Sequence, residues 1–373
     1  MLLKKHDSIK EINQFLRKKN LDKVFIITGK NSYYKSGAYK IFNKFFFNKK
    51  NNFFFKKSNY PDIQELKKII FLLNKAKPDL IIAIGGGSVL DYAKIASNFR
   101  NEKNLNKDII NANYSIKRKF YKLLAIPTTA GSGAEVTANS VIYINKKKYS
   151  IEHEKLKPDY FFIIPELIIK SPKMIKASSG FDAISQSLES LISKKSNFKS
   201  ISYATKSLNL SLENFVDCVK NPSINNTFKM ALAANLSGKA ISISKTTAPH
   251  AVSYPFTSHF NISHGHAVSL TLNEFIKFNY FNLKYSNSTF DLKKRFDLIF
   301  KITKVNNILE LDNFLKGLKK KVGLEDDFIK LGVKIKKDYS KIISGVNLQR
   351  LSNNPIQIEH TTLRSILFSK KSE

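Results

Sequence analysis

Four of the seven histidines, His250, His259, His264 and His266, fall within 17 consecutive positions. Neutral imidazoles are the commonest nitrogen ligands of divalent metals, and a carboxylate from elsewhere in the chain would complete such a site. The bland alternative is a set of satisfied or surface histidines. A carboxylate candidate stands in Gly180-Phe181-Asp182-Ala183-Ile184-Ser185-Gln186. Asp182 and Gln186 are four apart in a helical pattern, so both project from one face. Read alone, Asp182 could equally support a helix N-terminus, with Gln186 exposed.

Two glycine-bearing segments suggest anion binding. Ile84-Gly85-Gly86-Gly87-Ser88-Val89-Leu90-Asp91 follows an apolar run and opens an amphipathic stretch. Glycines there let backbone N–H groups approach a pyrophosphate, and a helix N-terminus favours the negative charge. The alternative is a tight turn, with Asp91 favoured near the helix start without any ligand. Pro127-Thr128-Thr129-Ala130-Gly131-Ser132-Gly133-Ala134-Glu135-Val136 also follows an apolar run. Its hydroxyls and glycines make a wall for a ring or phosphate, or simply a polar loop with a cap.

The elements that must position these residues follow from periodicity. Val24–Thr28, Leu80–Ile84 and Leu123–Ile126 read as strands, and Val141–Ile144 and Tyr160–Ile164 as further candidates. Helical segments alternate with them; over 62–75, Ile63, Leu66, Ile69, Ile70 and Leu73 share a face. The alternation predicts a parallel, doubly wound α/β domain over 1–172. Beyond Pro172 helical patterns dominate, at 180–193, 196–219, 227–244 and 267–278, predicting an α-helical domain over 173–373. The Asn-rich 352–355 stretch reads as a loop. The phenylalanine runs 45–47 and 53–55 read as core. His6, His153 and His360 lie outside every motif and read as structural or exposed, as does Cys218 on a helix face.

Length and charge narrow the class. At 373 residues the chain exceeds a single core, which stops growing at roughly 250–300 residues. Lys and Arg number 63 against 29 Asp and Glu, a net charge of +34. A nucleic-acid or membrane-surface partner would explain such a charge. Yet only six of the 63 are Arg, the residue favoured for bidentate phosphate contacts, and the Lys is spread evenly. The excess reads as compositional drift, with no nucleic-acid or membrane partner expected. One cysteine and no apolar leader or spanning run point to a cytoplasmic protein.

Taken together, KVFIITGKNSYYKSG, the GGGS loop, PTTAGSGAEVT, SGFDAISQSLE and the histidine segment resemble the iron-containing, metal-dependent (group III) alcohol dehydrogenase family, over nearly the whole chain. The resemblance implies the dehydroquinate synthase-like fold, a Rossmann-like N-terminal domain followed by a helical one. It implies NAD(H) or NADP(H) and one divalent metal, Fe2+ or Zn2+. Gly85, Gly86, Gly87 and Ser88 would hold the pyrophosphate, and Asp91, Thr128, Thr129 and Ser132 would belong to the dinucleotide site. Asp182, His250 and His264 match three of the family's usual metal ligands. Gln186 stands where the family usually has His, either as a weaker oxygen ligand or leaving three protein ligands and water. Tyr254 replaces a His thought to relay a proton, and His266 is an alternative relay. A tyrosine hydroxyl donates a hydrogen bond but does not ordinarily titrate near neutral pH.

DAISQSLES, KTTAPHAVSYP and SHGHAVSLTL are most similar to the branch that reduces phosphonoacetaldehyde to 2-hydroxyethylphosphonate. That implies a small anionic aldehyde as partner; Lys245, close in sequence to His250, is the candidate cationic contact or else a simple surface lysine, and His259 is a weaker candidate. It also implies a homodimer or larger assembly. Relatives preferring NAD often carry Asp where Gly29 stands; with Gly29, Lys30 and Ser32 here, a 2′-phosphate would be tolerated. Another small aldehyde, and a catalytically inactive basic binding protein, are the competing expectations.

Overall fold

The computed structural model describes residues 8–19, 21–46, 50–100 and 103–369. His6 and Phe47 lie outside them. The chain divides into two compact units, 1–171 with 223–231, and 172–222 with 232–373.

The first unit runs α1 (Ser8–Lys18), β1 (Lys23–Gly29), α2 (Lys30–Lys35), α3 (Ala38–Phe46), β2 (Lys50–Lys56), α4 (Ile63–Ala76), β3 (Leu80–Gly85) and α5 (Gly87–Ala96). There follow α6 (Leu105–Ile110), β4 (Lys122–Pro127), β5 (Asn139–Ile144), β6 (Lys147–Glu152), β7 (Tyr160–Phe161) and α7 (Pro165–Ile168). Five strands form a parallel sheet in the order β2-β1-β3-β4-β7. The inner strands β1, β3 and β4 carry continuous buried apolar runs because both faces of the sheet are covered there. Phe25, Ile27, Ile81, Ala83, Leu123 and Ala125 join the core on one face; Val24, Ile26, Ile82, Ile84, Leu124 and Ile126 join the other. Helix α4 is fixed at its start by Asp62, whose carboxylate accepts from the N–H of Gln64 and Glu65, a cap worth about 1 kcal/mol. Its buried face is the predicted one.

Three local outcomes differ from the sequence reading. Strand β2 is an edge strand, so Phe53 is 38% exposed and stacks on Phe55, rather than joining the core. Strand β5 leaves the parallel sheet and pairs antiparallel with β6. Asn145 and Lys146, both at positive φ, make the turn between them, the geometry a two-residue hairpin favours. Of Tyr160–Ile164 only two residues form strand; Phe162–Ile164 are buried outside it.

The second unit contains α8 (Lys173–Ile192), α9 (Phe198–Lys220), the larger part of α10 (Ile224–Ser244), α11 (Ala248–Phe260), α12 (His264–Phe281), α13 (Leu292–Thr303), α14 (Ile308–Val322), α15 (Ile335–Ser344), α16 (Leu348–Leu351) and α17 (His360–Ser369). Helix α8 packs on α9 and α12, and α11 on α12. Helix α11 was not apparent from the sequence because Pro255 sits inside it. Proline has no N–H for the carbonyl four residues back. Here that carbonyl, on Ala251, accepts from the N–H of Asn347 instead. The Asn-rich loop is buried too: the Asn353 amide donates to Ser193 Oγ and the Ser244 and Thr246 carbonyls.

Candidate metal and dinucleotide sites

In the first unit, β1, β3 and β4 end nearly level, with Thr28 opposite Ile84 and Gly85 opposite Pro127. The strand order places its switch point between β1 and β3, where open α/β sheets bind nucleotides at the strands' carboxyl ends. The segments after those strands meet there. A Cβ built on Gly86 would stand 3.3 Å from Thr129 Oγ1, and one on Gly87 would stand 3.0 Å from Ser132 Oγ. The glycines thus keep a narrow gap open between the two loops, beside the N-terminus of α5, whose dipole favours an anion. This is a cradle that a dinucleotide pyrophosphate fits.

Gly29 is buried at the end of β1, and Ser32 Oγ donates to its carbonyl. Lys30 is exposed. Asp91 belongs to a different environment. Its carboxyl lies against the Val141 backbone on β5, and burial pushes it up to about 6, against the pull of Lys94 and Lys148. Lys94, fully buried, donates to the Ala134 and Asn139 carbonyls and to Thr137 Oγ1, tying α5 to the loop after β4. Burial lowers Lys94 to about 8, with Asp91 and Glu135 opposing.

In the second unit, α8 presents Asp182, Gln186 and Glu189 along one stripe, as i, i+4 and i+7 spacing dictates. His250 lies in the first turn of α11 and His264 opens α12. Asp182, His250 and His264 each bring one ligand atom within 4.8 Å of the others, and Asp182 and His250 are buried. No other such group occurs among the described residues. The approach of α12 to α8 depends on Gly265. A Cβ there would fall 2.0 Å from the Ser178 carbonyl oxygen and 2.8 Å from Asp182 Cβ. Ser178 Oγ reinforces the crossing, accepting from Ser263 Oγ and the His266 N–H.

Glu189, outside the candidate residues the sequence offers, organises the cluster. Fully buried, its Oε1 accepts from the Thr247 N–H and hydroxyl at 2.9 Å each, holding the start of α11. Its Oε2 binds His250 Nδ1, which leaves Nε2 facing Asp182 Oδ1 at 3.2 Å. Burial would lower His250, but Glu189 and Asp182 outweigh it and raise the imidazole to about 9. Burial likewise works to raise Asp182, yet the His250 hydrogen bond and the His264 and His250 charges hold it below the usual range. A carboxylate, two imidazoles and a carboxylate fixing one imidazole's tautomer are a donor set that a divalent cation fits.

Gln186 Nε2 donates to Asp182 Oδ2 at 3.2 Å, and its Oε1 accepts from Ser237. Tyr254 is buried with its ring 6.0 Å from that of His264. His266 is turned elsewhere: its Nε2 donates to the Glu325 carbonyl at 2.6 Å, and burial lowers its basicity. Lys245 follows α10 at φ 61°, half-buried in the turn before α11. His259 is half-buried near the end of α11; His153 caps a short 3-10 turn, and His360 is exposed. Ser237 and Gly265 were missed, since neither carries a spacing signal.

The molecule therefore combines an α/β unit of dinucleotide-binding topology with a helical unit holding a buried carboxylate–imidazole cluster. The iron-containing alcohol dehydrogenase family model matches residues 2–165, and the C-terminal model of the same family matches residues 176–370. The chain belongs to the iron-containing alcohol dehydrogenase family. It is 30% identical over 218 residues to a phosphonoacetaldehyde reductase of Streptomyces viridochromogenes, covering 56% of this chain and 55% of that protein. It is 28% identical over 231 residues to an aldehyde-alcohol dehydrogenase of Streptococcus pneumoniae serotype 4, covering 59% of this chain. The match spans only 26% of that relative's length. A sulfoacetaldehyde reductase from Bifidobacterium kashiwanohense, crystallised with NAD+, shares the fold with a TM-score of 0.85, at 24% identity, over 97% of this chain and 94% of that one. No described helix is long and apolar enough to cross a membrane.

Proposed function

We propose that the chain is a metal-dependent NAD(P)H aldehyde reductase, with phosphonoacetaldehyde as its substrate and 2-hydroxyethylphosphonate as product. The observation that carries the reaction class is the convergence of Asp182, His250 and His264. The substrate choice rests on the 30% identity to a phosphonoacetaldehyde reductase. Asp182, His250 and His264 would hold the cation, and the gap between Gly85–Ser88 and Thr128–Ser132 would hold the dinucleotide pyrophosphate. Bound there, these groups supply a Lewis acid for the carbonyl oxygen and a hydride for the carbonyl carbon.

The chain's own residues do the rest. Glu189 holds His250 with Nε2 turned to the ligand group. Tyr254, beside His264, is the hydroxyl assigned to hydrogen-bond the substrate oxygen. His266, engaged with Glu325, is assigned a structural role instead. Lys245 is assigned to the phosphonate. The absence of a carboxylate at Gly29 leaves NADPH acceptable alongside NADH.

The test is a substrate panel with NADH and NADPH, together with metal analysis. Purified protein should hold one divalent metal per chain, lost in His264→Ala, and should reduce phosphonoacetaldehyde faster than propanal. Equal rates on the two aldehydes would refute the substrate. Equal metal content in wild type and His264→Ala would refute the site.

A further inference from the structure

Ser237 Oγ lies 2.8 Å from Gln186 Oε1 and 2.9 Å from the Ala234 carbonyl oxygen. Both distances suit a donated hydrogen bond, but a hydroxyl has a single proton. Only one of the two can be made at a time. The buried Gln186 amide therefore has two arrangements in which Ser237 keeps a hydrogen bond to it. In the first, Ser237 donates to Oε1, and Nε2 donates to Asp182 Oδ2. In the second, the amide is rotated by half a turn. Ser237 gives its proton to Ala234 and accepts from Nε2, while Oε1 takes the place now held by Nε2, 3.2 Å from Asp182 Oδ2.

The second arrangement sets an amide oxygen against a carboxylate oxygen. Two acceptors at that distance repel in a buried site unless a cation lies with them. A divalent cation reverses the preference, because it repels the amide N–H groups and attracts the oxygen.

We propose that Gln186 and Ser237 form an amide switch. Without metal the amide nitrogen serves Asp182; with metal the amide turns, Oε1 becomes the fourth protein ligand, and Ser237 holds it there. Ser237 is a positioning residue acting through Gln186. The hydroxyl makes two bonds in the turned state, one given and one accepted, against one in the unturned state, so it biases the equilibrium towards ligation. This inference rests on the metal-centre reading of Asp182, His250 and His264.

The test uses full-length protein, Zn2+ affinity by chelator competition, and infrared difference spectra of protein carrying 13C-labelled glutamine side-chain carbonyls. Zn2+ should shift one glutamine carbonyl band in wild type, and that band should be absent from Gln186→Leu. Ser237→Ala should bind Zn2+ about tenfold more weakly, the scale of a lost outer-sphere partner, while Ser237→Thr stays within about threefold of wild type. Thermal melts confirm that each variant is folded. An unshifted glutamine band, or equal affinities of Ser237→Ala and wild type, would overturn the switch. If wild type binds no Zn2+, or His264→Ala binds it as well, the metal-centre reading itself fails. If His264→Ala loses Zn2+ but Gln186→Leu and Ser237→Ala do not, only the switch fails.

Discussion

Replacing Gly265 by alanine tests how tightly the crossing of α8 and α12 sets the ligand geometry. The added Cβ would stand 2.0 Å from the Ser178 carbonyl oxygen, where ordinary contact begins at 3.4 Å. The obstacle is backbone, so the two helices must part by about 1.4 Å. Metal–ligand bonds tolerate about 0.2 Å of error. The displacement is several times that tolerance, and it falls between the helices carrying Asp182 and His264. We expect Gly265→Ala to weaken Zn2+ binding by about 100-fold or more, and overpacking to cost about 1–3 kcal/mol of stability. Gly317→Ala is the control. Gly317 lies inside α14 with nothing within 4 Å of an added Cβ, so it should gain about 0.5–1 kcal/mol and leave the metal untouched. Chelator competition and urea titration read both quantities. A Gly265→Ala protein binding Zn2+ within threefold of wild type would refute the reasoning, even if it were less stable.

Two further predictions concern buried charge. Metal-free His250, raised to about 9 from an ordinary 6.5, contributes stability that is fully present below pH 6.5 and is lost as pH rises through 9, about 3 kcal/mol in all. The same proton must leave before metal binds at Nε2, so apparent Zn2+ affinity should rise about tenfold per pH unit between 6 and 8; an affinity independent of pH would contradict this assignment. Lys94→Met removes the donor to Ala134, Thr137 and Asn139 and strips Asp91 and Glu135 of a counter-charge, so urea titration should show a loss of about 3 kcal/mol. A loss under 1 kcal/mol would mean the buried ammonium is not what holds the loop.

The sheet was legible where burial on both faces made the sequence uniformly apolar, as in Val24–Thr28, Leu80–Ile84 and Leu123–Ile126. Strand β2 was not, because its asparagines and lysines mimic a polar segment and its phenylalanines mimic a core. Helix α11 was hidden by Pro255, whose cost is offset by Asn347, a residue far along the chain. In the site, Asp182, His250 and His264 were visible by type and motif. Ser237 and Gly265 were not, since the role of each exists only once another helix is laid against it. His266 shows the reverse: its place in the motif suggested a relay, but a carbonyl on a distant loop claims its nitrogen.

His250 follows Asp182 by 68 residues, and the two meet only because α8 and α11 are both complete and docked. An unfolded chain offers a cation no such chelate. A cation held there would act as an inspector of assembly, retained by chains whose helices have found their partners and released by those that have not. Its free concentration then sets, logarithmically, how strongly finished molecules are favoured over unfinished ones.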